Sequence, residues 1–347
     1  MSDVNSAVPS RVSAIVLAYG AEPWFERSVH ALVGSRGVDM EVVVVDNGCT
    51  DGAVDRLRGV AGVTIVGDGE NLGFSGGCNL GVSMSTGEFV ALVNGDLVVE
   101  PDALARLVAV ARTPKVGIAA GSVRLENDSE RLNTAGNEIH FLGFSWVGAF
   151  GELASDYAVD RDIAGAMGAL VVLHRDVWNA LGGFAPEYFA FHEDAELSWR
   201  CWQTGLRVRY VPDAIGLHRY EFDRVQDKFY LAERNRLLFV LTCWETRSLL
   251  VLAPAFLGAE LAVTVAAVLG GWFRAKLKGW RWLYANRIWI AQRRKFIQGQ
   301  RVVSDRLLAH LISDHLDARN YPLPAMIRPF DDFLAWYWRV ARRFLAQ

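Results

Sequence analysis

The chain predicts an α/β fold on a mostly parallel sheet, followed by a helical C-terminal region. Four short β-branched runs lie in the first hundred residues, at 12–19, 41–45, 63–66 and 89–93. Helix-compatible stretches follow them near 24–33, 53–58, 76–85 and 102–112. Continuous apolar strands alternating with helices make a parallel sheet that is buried on both faces. Beyond about residue 248 the character changes, and 248–273 is nearly all Leu, Val, Ala and Gly, broken by Pro254, Glu260 and Thr264.

Between 115 and 245 the pattern is mixed. An extended run covers 169–173, and a helix over 194–204 is stopped by Gly205 at a C′-like position. The expected organisation is a flexible tail over 1–10, an α/β domain over 11–245 and a helical region over 246–347. A net charge of −3, from 36 basic and 39 acidic residues, gives no electrostatic case for nucleic acid. The four cysteines form no CxxC pair, which argues against zinc and suits a reducing compartment. The polar N-terminus lacks an apolar signal core.

In parallel α/β sheets, ligands bind beyond the carboxyl ends of the strands. Two runs end there in an aspartate, Asp46 and Asp96. A single such Asp is often a turn-former or cap, and Asp102 is the better cap for the next helix. The glycines and amides of 71–79, just before a predicted helix, would let backbone N–H groups approach a phosphate; the plain alternative is a flexible loop. Asn94-Gly95-Asp96 offers one carboxylate and one amide oxygen, which with two phosphate oxygens would suit Mg²⁺ or Mn²⁺. His192-Glu193-Asp194 opens a helix, where acids are favoured by the dipole or serve as a general base. His218 follows a further strand, as a structural histidine or a metal ligand.

In this order the motifs resemble the inverting family-two glycosyltransferases of GT-A fold, particularly the bacterial rhamnosyltransferase-like group. The matching segments are 13–20, 42–52, 70–81, 92–104, 165–184, 191–200 and 217–220, with Arg234-Asn235 like the family's Arg-Asn pair. The resemblance implies a GT-A (Rossmann-like, mostly parallel) catalytic domain. It implies that Ala18, Tyr19, Glu22 and Asp46 surround the nucleotide, and that Asn71, Gly73, Phe74, Gly77, Asn79 and Asn94 line the donor pocket. Asp96 would bind the metal with His218, Asp194 would be the base and Glu193 its acidic neighbour. Gly165, Ala166, His192, Trp199 and Arg200 would stand on the acceptor side. The chain departs from the group at Gly95, where proline is usual, and at Glu196 and Ala185, where aspartates are usual.

The implied activity is inverting transfer of a sugar, rhamnose as first candidate, from a dTDP- or UDP-linked donor to a glycan or polyprenyl-linked acceptor in cell-envelope polysaccharide synthesis. A nucleotidyltransferase is the rival enzyme class, but it would carry a basic glycine-rich loop where this chain has Ala18-Tyr19-Gly20-Ala21-Glu22. A non-catalytic binding relative is the other rival. The 26-residue stretch 248–273 is long enough to span a bilayer, though Glu260 and Pro254 argue against a simple span. Aromatics interleaved with cations over 272–282 point to peripheral or monotopic attachment on the cytoplasmic face of the membrane. The alternative is a helical subdomain or a homo-oligomer interface.

Overall fold

A computed structural model describes residues 9–219, 227–316 and 328–345. Residues 1–8 of the expected tail and Tyr220 lie outside the described residues. The first strands are β1 (Arg11–Gly20), β2 (Asp39–Cys49), β3 (Val63–Val66) and β4 (Phe89–Val93). They pair in parallel in the order β3-β2-β1-β4. Their helices are α1 (Phe25–Val33), α2 (Ala53–Arg56), α3 (Gly73–Ser83) and α4 (Ala103–Ala111).

The unbroken valine run of β2 has a direct physical cause. Val42 and Val44 lie on the face covered by α1, in one core with Phe25 and Val29, while Val43 and Val45 lie on the face covered by α3, in one core with Cys78 and Val82. Both faces of the strand are covered, so no polar alternation survives.

The remainder makes the sheet mixed. After the short β5 (Leu97–Val99) come β6 (Val116–Leu125), β7 (Asp128–Thr134), β8 (Asn137–His140), β9 (Ser145–Val147), β10 (Arg161–Asp162) and β11 (Leu170–His174). Then follow α5 (Arg175–Leu181), α6 (Glu193–Gln203) and β12 (Arg207–His218). β11 inserts antiparallel between β4 and β6, while β12 runs parallel to β6. The excursion through β7, β8 and β9 brings the chain back at the opposite end of the sheet. The carboxyl ends of β1, β2, β4 and β12 therefore share one edge with the amino end of β11.

The C-terminal elements are α7 (Lys228–Cys243), α8 (Thr246–Leu269), α9 (Phe273–Ala285), α10 (Arg287–Gln300), α11 (Asp305–Leu308), β13 (Ile312–Ser313) and α12 (Arg328–Ala341). They are stitched to the sheet domain. β13 pairs with β8, and Arg293 of α10 reaches Glu196 of α6 at 2.6 Å. Glu260, midway along α8, pairs with Arg236 and Lys276, both almost wholly buried, and Glu233 completes the cluster.

Local expectations shift by a turn or less, with one change of kind. Gly205 ends α6 in a left-handed conformation, φ +81°, as its position predicts. Asp102 stands at the N-cap of α4, but its carboxylate pairs with Arg36 at 3.1 Å and caps nothing. The glycine-rich segment is helix from Gly73 onward, not a loop. A Cβ on Gly77 would lie 2.6 Å from Leu17, and one on Gly81 would collide with Ile15, so these glycines let α3 lie directly on β1.

Candidate active site

At the shared edge, Ala18 is buried while Tyr19 is half exposed over the rim. Asp46 accepts from Gly48 N (3.3 Å) and Cys49 N (3.1 Å), bracing the irregular last residues of β2. Glu22 is buried; it accepts from Trp24 N at 2.9 Å and lies 3.7 Å from Arg219.

The first turn of α3 is already engaged. Asn71 Oδ1 accepts from Gly73 N (2.9 Å), Asn47 Oδ1 from Leu72 N (2.8 Å), and Phe189 O from Ser75 N (3.0 Å). The expectation that these N–H groups stand free for a phosphate is corrected: the loops that pack here consume them. Gly73 sits at φ +70° with Phe189 O where a Cβ would be, which explains the glycine without a donor. Gly77 is likewise explained by Leu17. Asn79 is a cross-chain staple, donating to Phe184 O (2.9 Å) and accepting from Phe184 N (3.1 Å). Phe74 packs by Phe184 and Gly168.

Asp96 Oδ1 lies 3.0 Å from His218 Nε2. The buried His218 also meets Asn133 Oδ1 through Nδ1 at 2.9 Å and Asn94 Nδ2 through Nε2 at 3.3 Å. With Nδ1 on Asn133, Nε2 is the ring nitrogen turned toward the Asp96 carboxylate. The pair hydrogen-bonds directly, and a carboxylate oxygen and an imidazole nitrogen at this separation could also serve as neighbouring ligands of a small divalent ion. No group of three His, Cys, Asp or Glu side chains gathers among the described residues, so remaining ligands would come from elsewhere. Gly95 replaces the usual proline where Phe25 presses against the turn, 2.7 Å from where a Cβ would lie.

Asp194 sits in the first turn of α6. The loop before it carries Phe189, Phe191 and His192 at φ between +64° and +70°. Such residues persist only where surrounding contacts over-determine them. Arg234 supplies bonds to Glu187 O (2.7 Å) and Tyr188 O (2.9 Å), and Asn235 Nδ2 faces Tyr188, Ala190 and Phe191 carbonyls at 2.7–2.9 Å. Asp194 Oδ2 accepts from Asn137 Nδ2 and Gly168 N, both 3.1 Å, and Oδ1 from Ala195 N at 2.7 Å. Burial raises its pKa against the pull of these bonds. Glu193 is driven well above the carboxylate range, by burial first and Asp194 second, and its Oε2 has no partner. Burial therefore favours the protonated form of this acidic neighbour.

Two backbone links join the halves. Asn94 N donates to Ala169 O at 3.0 Å, and Gly168 N donates to Asp194. Residues 168–169 thus tie the Asp194 carboxylate to the turn that carries Asp96.

The expected acceptor residues move inward. Trp199 is fully buried against Trp244, ring centroids 5.0 Å apart. Arg200 is buried on Glu196 (2.7 Å) and Gly183 O (2.6 Å). They lie on the face of α6 turned to the core, so both are corrected to structural residues. His192 is held by Gly143 O at 3.0 Å, and burial pushes its pKa down to about 4. Gly165 pairs with Asn137 backbone, and Ala166 N donates to Ser198 Oγ, behind Asp194. Asn47, Asn133, Asn137 and Arg293 escaped sequence reasoning. Lone amides and a lone arginine carry no local signal.

The family model for Glycosyl transferase family 2 matches residues 13–181. An N-acetylglucosaminyl-diphospho-decaprenol L-rhamnosyltransferase of Mycobacterium tuberculosis (strain H37Rv) is 25% identical over 230 residues, covering 59% of this chain and 74% of that protein. An uncharacterized glycosyltransferase of Haemophilus influenzae is 27% identical over 101 residues, 28% of this chain and only 31% of its relative's length. The mannosyltransferase PcManGT from Pyrobaculum calidifontis, solved with GDP-Man and Mn²⁺, aligns over 96% of this chain and 86% of its own, with TM-score 0.51 and 19% identity. Residues 13–181, just under half of the chain, match glycosyl transferase family 2, and the chain has the GT-A fold of the solved glycosyltransferases it resembles.

Proposed function

We propose that the protein transfers a sugar from a nucleotide-diphosphate donor to a hydroxyl of a glycan or polyprenyl-linked acceptor, inverting the anomeric carbon, in cell-envelope polysaccharide synthesis. The observation that carries this is Asp194: a half-buried carboxylate of raised pKa, tied through residues 168–169 to the Asp96 turn. Ala18, Tyr19 and Asp46 would surround the nucleotide. Asp194 takes the acceptor's hydroxyl proton, the freed oxygen bonds to the anomeric carbon, and the bond to the diphosphate breaks on the opposite face. A base with a raised pKa is better matched to that proton near neutral pH. Asp96 and His218 would hold a divalent cation, Mg²⁺ or Mn²⁺, whose charge offsets that of the departing diphosphate. The mycobacterial relative's name makes rhamnose the first sugar to test. A lipid-linked acceptor would place the enzyme, peripheral or monotopic, on the cytoplasmic face of the membrane, with residues 246–347 as its attachment.

Asp194→Asn tests the base. Turnover should fall by about 10²–10⁴-fold, while stabilisation by the nucleotide sugar with Mn²⁺, read as a thermal shift, should persist. Near-normal turnover removes the base assignment. If no nucleotide sugar stabilises the wild-type chain, the transferase reading itself fails.

A further inference from the structure

Among the described residues, α8 is the one helix long and apolar enough to cross a membrane, and most of it is uncovered. Its exposure follows a pattern. Leu250, Leu257, Leu261, Val265 and Val268 recur at helical spacing and are each half exposed or more. Leu252, Ala255, Ala259 and Ala267, on the other side, are buried against the protein. An aliphatic stripe this long exceeds the scattered apolar residues of an ordinary surface.

Two further observations say what covers it. The first is charge. From Leu261 to Ser304 the chain carries nine Lys and Arg and not one Asp or Glu, within a protein of net charge −3. Arg274, Arg281, Arg287 and Lys295 of α9 and α10 are exposed. Cations beside an aliphatic stripe match anionic headgroups beside acyl chains.

The second is the direction of Glu260, the only acid in α8. It turns away from the stripe, onto Arg236 and Lys276, leaving the outer face from Leu250 to Leu269 without a charge to carry into hydrocarbon. The same contact fixes the helix alongside the domain. A transmembrane α8 would have to leave Arg236 and Lys276, both 1% exposed, and take Glu260 into lipid. α12 also holds it there: Tyr337 donates to Val251 O, and Trp336 of α12 and Phe344 just beyond it stand exposed.

We infer that α8 lies flat in the interface of an anionic bilayer, with its leucine and valine stripe among the acyl chains, and does not cross it. This specifies the membrane part of the proposed function and is independent of which sugar moves.

The test uses the purified full chain with vesicles of phosphatidylcholine alone and with added phosphatidylglycerol. Flotation with the anionic vesicles is expected, weakening as salt rises. Leu257→Asp with Leu261→Asp should lower the bound fraction about tenfold or more. Because both side chains are exposed, thermal stability and the donor-induced shift should stay as in wild type; these separate failure of the membrane inference from failure of the transferase reading. Arg247→Cys, at the start of α8, and Arg274→Cys, just past its end in the first turn of α9, should both react with an impermeant maleimide outside intact vesicles. Protection of one end would mean a span and overturn the inference. So would failure to bind vesicles, or a dimer in solution that the paired aspartates dissociate, since the stripe would then belong to a second copy.

Discussion

The Asp194 carboxylate accepts bonds from Ala195, Gly168 and Asn137, donors from three separate parts of the chain, before any substrate arrives. Each bond favours the charged form and opposes burial. Turnover should therefore rise with pH along a limb above the ordinary aspartate range, since the base must first lose its proton. Asn137→Ala removes one stabilising bond and should move that limb to higher pH; an unmoved limb in the pH–kcat profile would count against Asp194. Glu193 has the opposite stability consequence from a paired carboxylate. Its folded pKa exceeds the ordinary 4.5, so its favourable contribution is complete below that pH and is lost as pH rises through the folded value. Glu193→Gln should flatten the loss of stability toward alkaline pH, which urea melts across pH will measure.

Helix α6 carries Asp194, the proposed base, and its Glu196 makes one ion pair within the helix and one to α10. Glu196 is wholly buried between Arg200 at 2.7 Å and Arg293 at 2.6 Å, and the two cations hold its pKa below the usual range despite burial. Glu196→Ala would strand two buried guanidinium groups and should cost about 3–5 kcal/mol, measured by denaturant unfolding. Here the departure from the group's usual aspartate acquires a reason in this chain. The longer side chain reaches Arg293, which comes from α10. On the other side of the site, α3 depends on close approach to β1. Gly81→Ala forces a methyl into Ile15 and should cost about 1–3 kcal/mol by overpacking, visible as a lowered Tm.

At the scale of the whole molecule, the C-terminal region is part of the folded body. Arg293 on Glu196, the Arg236–Glu260–Lys276 cluster and the pairing of β13 with β8 all cross the position where composition changes. A chain ending at residue 245 loses these partners and uncovers the buried residues of α7. It should fail to give a soluble protein with one cooperative unfolding transition; a truncated form as stable as the full chain would contradict this. The junction that composition marks near 245 is a change of surroundings, from a sheet face to the helices that cover it.

Taken alone, the sequence determined the strands β1 to β4, the helices between them and the ligand edge where Asp46 and Asp96 emerge, because burial on both faces writes itself as unbroken apolar runs. The order of motifs also pointed to the family whose model matches residues 13–181. It did not determine that β11 runs antiparallel, since strand direction depends on where a long excursion returns. Nor did it separate the residues of α6: one helical turn holds Asp194 at the site, while Trp199 and Arg200 point into the core, and only packing on α7 and α10 decides which face is which. The partners of the site, Asn133 on His218 and Asn137 on Asp194, come from distant stretches that nothing local marks. The three-dimensional structure also turned Glu260 inward, and that one contact makes α8 a helix lying along the domain.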